Sequence, residues 1–387
     1  MNKIAELISR LCPDGVEFKT LDSLVSYVQP GPYIVSSTEY DAHYCTPVLT
    51  AGQSFILGYT NEEEGIYNAS SQKPVIIFDD FTTSFHWVDF DFKVKSSALK
   101  ILKIKDKQEA DFRYIYMAMK TIHFIPTNHM RHWISLYSKF DIPLPPLNIQ
   151  KEIVSILDSF TSLIDKMKQE AEMRKKQMDY YREKLFSFGK EECEWRTLNE
   201  LFTFKNGINK EKNDFGRGAP IINYVDVYRK RGLVKEDIKG LVNSNASEQS
   251  RYKCKKGDVF FTRTSETKEE VGFPAVLLED IENCVFSGFV LKATPTTDLL
   301  DTHYCKYCFF TYQFRKEVIK SATYTTRALT NGTSLSKISI PVPSLEKQRQ
   351  IASILDTFET YISKLEKMIE LRQKQYEYYR EKLLTFE

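Results

Sequence analysis

The amino-acid sequence predicts an α+β protein with two lobes separated by two long antiparallel coiled-coil helices, arranged as a pseudo-twofold internal repeat. Three observations lead to this fold class. The chain has 387 residues, more than a single hydrophobic core usually supports. Residues 142–188 and 340–386 are two copies of one segment, aligned without a gap at an offset of 198. Within both copies, apolar residues recur at alternating intervals of three and four, which is the spacing of a coiled coil.

The repeat sets the order of the elements along the chain. Its copies begin IPLPPLNIQKEIVSILD and IPVPSLEKQRQIASILD, and each contains YYREKL near its end. A weaker repeat lies upstream, where EFKTLDSL from Glu17 matches EWRTLNEL from Glu194 at an offset of 177. The part of the chain between the two repeated segments is therefore longer by 21 residues in the second half. We predict a first lobe at 1–141, a first helical region at 142–188, a second lobe at 189–339 and a second helical region at 340–387.

Each lobe is predicted to be α+β. Short runs rich in Val, Ile and Phe lie between turn-forming residues, as is typical of β-strands. One helix is predicted near the end of each lobe, at Asp111–Thr121 in the first and Leu299–Lys320 in the second.

Each helical region starts with a proline-bounded extended stretch, because proline disfavours helix in the residue before it. The predicted seam residues are Ile153, Leu157, Phe160, Ile164 and Met167 in the first copy and Ile351, Leu355, Phe358, Ile362 and Leu365 in the second. Arg174 and Arg372 interrupt the two seams at the same place. Such an arginine could fix the register or bind an acidic partner, or its stem could lie along the seam with its head in water.

The connection between the copies sets the direction of the helices. The first helix runs into the second lobe through the short linker GKEECEW, so we expect the lobes at opposite ends of it. The second helix starts at the second lobe and returns, which makes the pair antiparallel. About 37 helical residues give a rod of roughly 55 Å.

Composition excludes several classes of protein. No stretch approaches the roughly 18 consecutive apolar residues of a membrane span, and the N-terminus lacks the apolar segment of a signal peptide, so we expect a cytoplasmic protein without a membrane segment. The seven cysteines are irregularly spaced and are predicted to be reduced. The net charge is +2, with −3 in the first lobe and +4 in the second, so any surface for a polyanion must be a local patch.

The sequence contains no complete catalytic or metal-binding signature. NPPY-like and DPPY-like tetrapeptides and an FxGxG loop, which mark methyltransferases, are missing. Asp258, Glu266 and Lys268 imitate the set that holds Mg²⁺ in many nucleases, but the first lobe has no matching set. Cys305 and Cys308 form a CxxC without the second pair that zinc needs. We therefore expect no catalytic centre and no metal site in this chain.

The tandem arrangement, with QKEIVSILD or QRQIASILD opening a long helix that ends near YYREKL, resembles the specificity subunits of Type I restriction-modification systems. The resemblance spans essentially the whole chain. In the first lobe, PVLTAGQSFILGY at 47–59 and VIIFDDFTTS at 75–84 look like a target-recognition domain of that family, whereas GDVFFTRTS at 257–265 in the second lobe departs from it. That departure is expected if each lobe reads a different half-site.

The resemblance implies a sequence-specific, non-catalytic DNA-recognition subunit. Each lobe would read one half of a bipartite, asymmetric site in double-stranded DNA, and the helices would set the spacing. Two methyltransferase subunits and motor-nuclease subunits would assemble on the chain. S-adenosylmethionine, ATP and Mg²⁺ would belong to those partners, with no cofactor in this chain. The alternatives are a stand-alone restriction-type nuclease and a scaffold that binds only protein.

Residues that hydrogen-bond base edges and phosphates cluster in predicted loops of both lobes. In the first lobe the candidates for DNA binding are Thr50, Gln53, Thr82, Thr83, Ser84, Asn128, His129 and Arg131. In the second lobe they are Asn206, Arg217, Arg263, Thr264, Ser265, Thr325, Thr326, Arg327 and Asn331.

Overall fold

The computed structural model describes residues 6, 10–52, 54–126, 130–189 and 191–386. The chain divides into two compact units: unit 1 contains Met1–Met167 and Met368–Glu387, and unit 2 contains Lys168–Lys367. Each unit therefore holds one lobe together with part of each long helix. The four segment boundaries drawn from the sequence stay a prediction, because these units divide the helices instead of separating helix from lobe.

Unit 1 contains nine described strands, three short described α-helices and part of both long helices, of which the first continues into unit 2. The strands are β1 (Phe18–Thr20), β2 (Val25–Val28), β3 (Thr46–Leu49), β4 (Ile56–Thr60), β5 (Val75–Asp79), β6 (Phe85–Val88), β7 (Lys93–Val94), β8 (Leu99–Ile104) and β9 (Asp141–Pro143). The helices are α1 (Leu21–Leu24), α2 (Phe112–Met119), α3 (His132–Ser135) and the first long helix, α4 (Leu147–Leu185).

Unit 2 contains thirteen described strands, and its last helix is the second long helix, which continues into unit 1. The strands are β10 (Glu194–Thr197), β11 (Phe202–Asn206), β12 (Phe215–Ile222), β13 (Gly232–Leu233), β14 (Leu241–Val242), β15 (Val259–Thr262), β16 (Thr264–Ser265), β17 (Pro274–Leu277), β18 (Val285–Phe286), β19 (Val290–Pro295), β20 (Thr323–Tyr324), β21 (Ala328–Leu329) and β22 (Ser339–Val342). The helices are α5 (Leu198–Leu201), α6 (Tyr224–Arg229), α7 (Ala246–Arg251), α8 (Thr302–Cys308), α9 (Tyr312–Ser321), α10 (Gly332–Leu335) and the second long helix, α11 (Leu345–Leu384).

The two lobes share one strand topology. In lobe one the central sheet has the order β2-β8-β5-β6, and in lobe two β11-β19-β15-β17 follows the same antiparallel pattern. A smaller sheet, β4-β3-β7, matches β14-β12-β18, and each combines one antiparallel and one parallel pair. Lobe two adds β13 to its central sheet and a further sheet, β16-β21-β20. The α+β class and the internal repeat are confirmed, and the repeat extends into the lobes.

The central strands are buried because their residues are apolar on both faces. In β5, Val75 to Phe78 are at most 2% exposed, and in β15 the four residues of Val259–Thr262 are buried completely. Helix α2 covers one face of the first sheet and begins at Asp111, whose carboxylate accepts the backbone N–H groups of Arg113 and Tyr114.

The single helix predicted at Leu299–Lys320 is wrong, because two helices, α8 and α9, occupy that range. Asp301 caps the first of them, and Thr311 caps the second by accepting the Phe314 N–H with its hydroxyl. The second N-cap begins a new helix where the apolar periodicity alone predicted continuation. The helix predicted at Asp111–Thr121 is confirmed as α2.

The predicted pair of coiled-coil helices is confirmed, and parts of both helices pack together in each unit. Eight of the ten seam residues are buried, while Phe160 and Phe358 are half-buried. In unit 1 the Phe160 ring lies 5.5 Å from the Tyr379 ring, and in unit 2 Tyr181 lies 5.6 Å from Phe358. The two contacts are equivalent in the repeat, because Phe358 is the counterpart of Phe160 and Tyr379 is the counterpart of Tyr181. Within each unit an early part of one long helix meets a late part of the other, so the helices are antiparallel.

The arginines that interrupt the seams form hydrogen bonds with side chains of their own helices. The Arg174 guanidinium donates to Gln177 at 2.9 Å and to Glu170 at 3.3 Å, and Arg372 donates to Gln375 at 2.6 Å. Arg174 also lies 5.6 Å from the centre of the Tyr361 ring. This arrangement favours the alternative in which the stem lies along the seam and the head reaches outward. Across the described ranges, no helix is both long and apolar enough to cross a membrane.

Candidate nucleic-acid interface

Each lobe is fixed to its long helix by one fully buried glutamine near the start of that helix. In unit 1 the Gln150 amide oxygen accepts the Asp111 N–H at 2.8 Å, and its nitrogen donates to the Pro145 carbonyl at 2.7 Å. In unit 2 Gln348 makes the same two bonds, to Asp301 and Pro343, both at 2.8 Å. These glutamines open the repeated QKEIVSILD and QRQIASILD strings, so the motif encodes the junction between lobe and helix.

A tyrosine and an aspartate complete each of the two junctions. Tyr114 and Tyr304 donate to the carbonyls of Pro143 and Pro341, both at 2.9 Å. In unit 1 the aspartate that ends the QKEIVSILD string is Asp158. Its carboxylate accepts a hydrogen bond from the Arg113 guanidinium at 2.8 Å.

In unit 2 the corresponding aspartate has more partners. Asp356 accepts from Lys306 and Tyr307 at 2.6 Å each, and the His303 ring nitrogen lies 2.9 Å away. Burial alone would raise the pKa of Asp356, but the hydrogen bonds from Lys306 and Tyr307 outweigh it and the pKa is lowered. The Asp356 carboxylate therefore stays ionised beside these donors at neutral pH.

We expect Gln348→Leu to lower the free energy of unfolding of unit 2 by about 3 kcal/mol, because leucine leaves buried backbone groups without partners. Thermal and urea unfolding of the full chain would measure the loss. Gln350→Leu is the matched control, since Gln350 is exposed on the same helix and its amide nitrogen donates to Glu346 at 3.5 Å. Equal stability of the two variants would contradict the assigned role of Gln348.

The junction lies at one end of each central sheet, and most candidate DNA-binding residues lie at the opposite end, which we call the tip. In lobe one β2 follows α1 at the junction end of the sheet and ends at Val28. The start of β8 and the end of β5 lie at the same end of the sheet as Val28. The first tip comprises residues 50–52, 54, 79–86 and 131–136. In lobe two β11 likewise leaves the junction and ends at Asn206. The second tip comprises residues 206–209, 263–272, 287–289 and 323–331.

Three segments meet in the first tip. Ser84 Oγ donates to the Ala51 carbonyl at 2.6 Å, and a His86 ring nitrogen lies 3.0 Å from the Gly52 carbonyl oxygen. These contacts join the turn after β5 to the turn after β3. The third segment docks through Asp80, whose backbone carbonyl accepts the His132 N–H at 2.8 Å.

Asp80 is the structural centre of the first tip. Its side chain is buried, and its carboxylate lies 3.1 Å from Lys100 Nζ, which is equally buried. The other carboxylate oxygen accepts the Trp133 N–H at 3.1 Å. Asp80 therefore connects the central sheet to the segment that carries Arg131.

The first-lobe candidates differ in what they present to solvent. Thr82 and Arg131 are exposed, and Thr50 and Ser84 are half-buried. Thr83 is buried, has φ +57° and donates its hydroxyl to the Thr82 carbonyl at 2.7 Å, so it shapes the turn. Gln53, Asn128 and His129 lie outside the described residues.

The second tip is built on Arg263, which follows β15. Its guanidinium donates to the Gly288 carbonyl at 2.9 Å, and its carbonyl accepts the Thr330 N–H at 3.0 Å. Thr264 and Ser265 form β16 and pair with β21, so the segments 263–265 and 328–330 lie side by side. Asn206 joins them because the next residues, Gly207 and Ile208, pack on the Phe286–Gly288 backbone.

Several second-lobe candidates have structural partners. Ser265 is buried, Asn331 caps α10 by accepting the Ser334 N–H at 2.9 Å, and Arg327 forms an exposed ion pair with Glu266 at 2.9 Å. Thr325, Thr326 and Asn206 are exposed. The prediction that the candidates lie in loops is wrong for four of them: Asn206 ends β11, Thr264 and Ser265 form β16, and Arg217 lies in β12. Arg217 is exposed and is not among the residues that build the second tip.

Sequence reasoning missed the residues that brace the tips. Arg315 of α9 donates to three backbone carbonyls of the second tip: Gly272 and Val271 at 2.7 Å and Glu269 at 3.0 Å. Burial lowers the pKa of Arg315 to about 10, so it remains a cation at neutral pH. Arg315 stands in no local motif, and Asp80 lies within the string VIIFDDFTTS, but the bracing role of both residues depends on partners that lie far away in the sequence.

The residues that imitate a nuclease site do not meet. Asp258 is buried against Lys292 Nζ at 3.1 Å, whereas Glu266 is exposed and pairs with Arg327. Lys268 lies over the Tyr324 ring, 5.4 Å from its centre. Over the described ranges, no group of three or more His, Cys, Asp and Glu side chains is arranged to hold a metal ion. Burial raises the pKa of the Cys305 and Cys308 thiols, which keeps both protonated.

Comparisons with known proteins agree with one another. The family described as Type I restriction modification DNA specificity domain matches residues 13–173 and 190–373. The chain is 37% identical to the EcoR124I/EcoR124II type I restriction enzyme specificity subunit of Escherichia coli, over 96% of this chain and 95% of that protein. It is 28% identical to a putative type I restriction enzyme specificity subunit of Haemophilus influenzae, over 96% of both chains.

The fold matches solved structures at low sequence identity. A crystal structure of a Type I restriction-modification S subunit from M. genitalium aligns with a TM-score of 0.59 at 17% identity, over 95% of this chain and 96% of that one. A chain from a study of complex assembly and conformational transition of the type I R-M system aligns with a TM-score of 0.55 at 13% identity, over 96% and 98% of the two chains. These likenesses concern the fold.

Proposed function

This chain belongs to the Type I restriction modification DNA specificity family and is a non-catalytic specificity subunit, and from that premise we propose that each tip reads one half of a bipartite, asymmetric DNA site. The observation that carries the proposal is the duplicated tip. Two lobes of one topology present polar and cationic side chains at the same end of the central sheet, away from the junction. Such side chains bind base edges and phosphates of double-stranded DNA.

The asymmetry of the site follows from the differences between the tips. In the matched central strands, β5 pairs Asp79 with Leu99, and β15 pairs Thr262 with Val290. The next residue is the buried Asp80 in lobe one and the half-buried Arg263 in lobe two. A buried, ion-paired acid and a half-buried base at equivalent positions give the two tips different structures, so the two half-sites would differ in sequence.

The long helices would set the half-site spacing and bind two methyltransferase subunits. Repeat-equivalent positions carry exposed apolar residues on the helices of both units. In unit 1 they are Leu163 (43%), Leu371 (57%) and Tyr378 (57%). Their repeat equivalents in unit 2 are Tyr361 (42%), Met173 (58%) and Tyr180 (61%). One surface present twice fits two copies of one partner, and apolar residues at helical spacing fit a partner helix.

The chemistry of the assembled enzyme would then belong to the partners. Methyltransferase subunits would bring S-adenosylmethionine, and motor-nuclease subunits would bring ATP and Mg²⁺. A protein-only scaffold would use the helical surfaces alone and would leave the tips without a role. A gel-shift assay with and without the methyltransferase subunit separates that alternative, because a scaffold would not add sequence preference to the complex.

We expect methylome sequencing of a host that expresses this chain with its methyltransferase subunit to give a two-part motif whose halves differ and lie about one helical turn apart. Arg263→Ala should relax one half of that motif and leave the other unchanged. Lys337→Ala is the control, because Lys337 is an exposed cation of the same lobe outside the second tip. A continuous or palindromic motif, or relaxation of both halves by Arg263→Ala, would refute the proposal.

A further inference from the structure

Phe289 is a large apolar side chain that the fold leaves in solvent at the second tip. It is 68% exposed, and in the described part of the chain its ring packs against no other aromatic ring. In lobe one the matched position, just before β8, is Ala98, which is half-buried. The shared topology therefore does not require an exposed aromatic residue at this place.

The backbone around Phe289 is fixed from three sides. Ser287 N–H donates to the Ile222 carbonyl at 2.9 Å, and Gly288 N–H donates to the Ile208 carbonyl at 2.8 Å. The Phe289 carbonyl accepts the Arg263 N–H at 3.3 Å, and the Arg263 guanidinium binds the neighbouring Gly288 carbonyl. The ring is thus presented on a turn that cannot easily fold back over it.

Close packing explains a glycine beside this turn. A side chain at Gly207 would collide with the Ser287 carbonyl, because the two backbones touch. Single exposed apolar residues are common on protein surfaces and need no function. Phe289 differs because rigid backbone presents it among the polar and cationic residues of a tip.

We infer that Phe289 stacks against a base in the half-site that lobe two reads; this rests on the proposed function. A nucleic-acid base offers the flat, apolar face that an aromatic ring stacks on, and apolar side chains inserted at base steps are a known mode of DNA binding. Phe289 has only two side-chain torsions and a fixed backbone, so little conformational freedom is lost on stacking. The adjacent Arg263 supplies positive charge that attracts the phosphates of a DNA strand.

The test uses the complex assembled with its methyltransferase subunits and two duplexes, one with the methylated motif and one with the lobe-two half scrambled. We expect Phe289→Ala to weaken binding of the motif by about five- to hundredfold and to leave binding of the scrambled duplex within about twofold. Phe289→Trp should restore binding of the motif. Tyr312→Ala is the matched control, because Tyr312 is 70% exposed in the same lobe but lies outside the second tip. Its backbone N–H binds Glu183 of the first long helix.

An abasic scan of the lobe-two half-site gives a readout that a merely structural role would not change. Removing the base that Phe289 stacks on should weaken the wild-type complex but should not further weaken Phe289→Ala. Additive losses at every position, or a Phe289→Ala complex that binds both duplexes as the wild type does, would overturn the inference. If the wild-type complex fails to distinguish the two duplexes, the proposed function fails and this inference with it.

Discussion

Asp80→Ala should lower the free energy of unfolding of unit 1 by about 3–5 kcal/mol, because it leaves the buried Lys100 ammonium without its counter-charge. Lys100 would keep its hydrogen bond to Gln29, at 3.2 Å, but the Gln29 amide is neutral. The substitution also removes the acceptor of the Trp133 N–H, so the segment that carries Arg131 keeps its bond from the His132 N–H to the backbone carbonyl of residue 80 but loses its bond to the side chain. Calorimetric unfolding of the full chain measures the stability, and methylome sequencing measures recognition of the first half-site.

Two variants separate the ion pair from general damage to the turn. Asp79→Ala removes a carboxylate that, within the described ranges, accepts only the Phe81 and Thr82 N–H groups, both at 2.8 Å, and should cost about 1 kcal/mol. Replacing both Asp80 by leucine and Lys100 by methionine should recover most of the stability, since no unpaired charge remains buried. If Asp80→Ala costs no more than Asp79→Ala, the pair does not hold the first tip.

The long helices were predictable because their pattern is local. A seam residue such as Leu157 or Leu355 recurs with its neighbours at fixed spacing, and the 198-residue offset repeats the whole pattern. The break between α8 and α9 was not predicted, because a threonine at Thr311 is compatible with a continuous helix until its hydroxyl is seen to cap the next turn. Hydrophobic periodicity reports which face is buried and says little about where a helix stops.

The clustering of the candidate segments was easier to predict than the exposure of any single candidate residue. The segments that carry Thr82 and Arg131 do meet in one tip, although they lie far apart in the sequence. Burial of Thr83 and Ser265 could not be read from their residue type, because hydroxyl side chains serve turns and strands as readily as they serve ligands. Phe289 carries no polar group, so a search for side chains that hydrogen-bond bases passes over it.

Lengthening both helices by one heptad should change the spacing of the recognised motif. Residues 162–168 would be duplicated after Lys168, and their repeat equivalents, 360–366, would be duplicated after Glu366. A heptad keeps the apolar face in place, so the contact of Phe160 with Tyr379 in unit 1 and that of Tyr181 with Phe358 in unit 2 can both re-form. Seven residues lengthen each helix by about 10 Å, which is about three base-pair steps of DNA.

The expected result is a methylome in which both half-site sequences persist and the gap between them is longer by about three base pairs. Duplication in one helix alone is the control and should abolish assembly of the active complex, because the unmatched helix no longer meets its antiparallel partner in register. Five residues inserted at both places should also fail, since they rotate the apolar face away from the seam. If the doubly lengthened protein still directs methylation of the original motif with its original gap, the helices are not the ruler, and the bound methyltransferase subunits must fix the spacing instead.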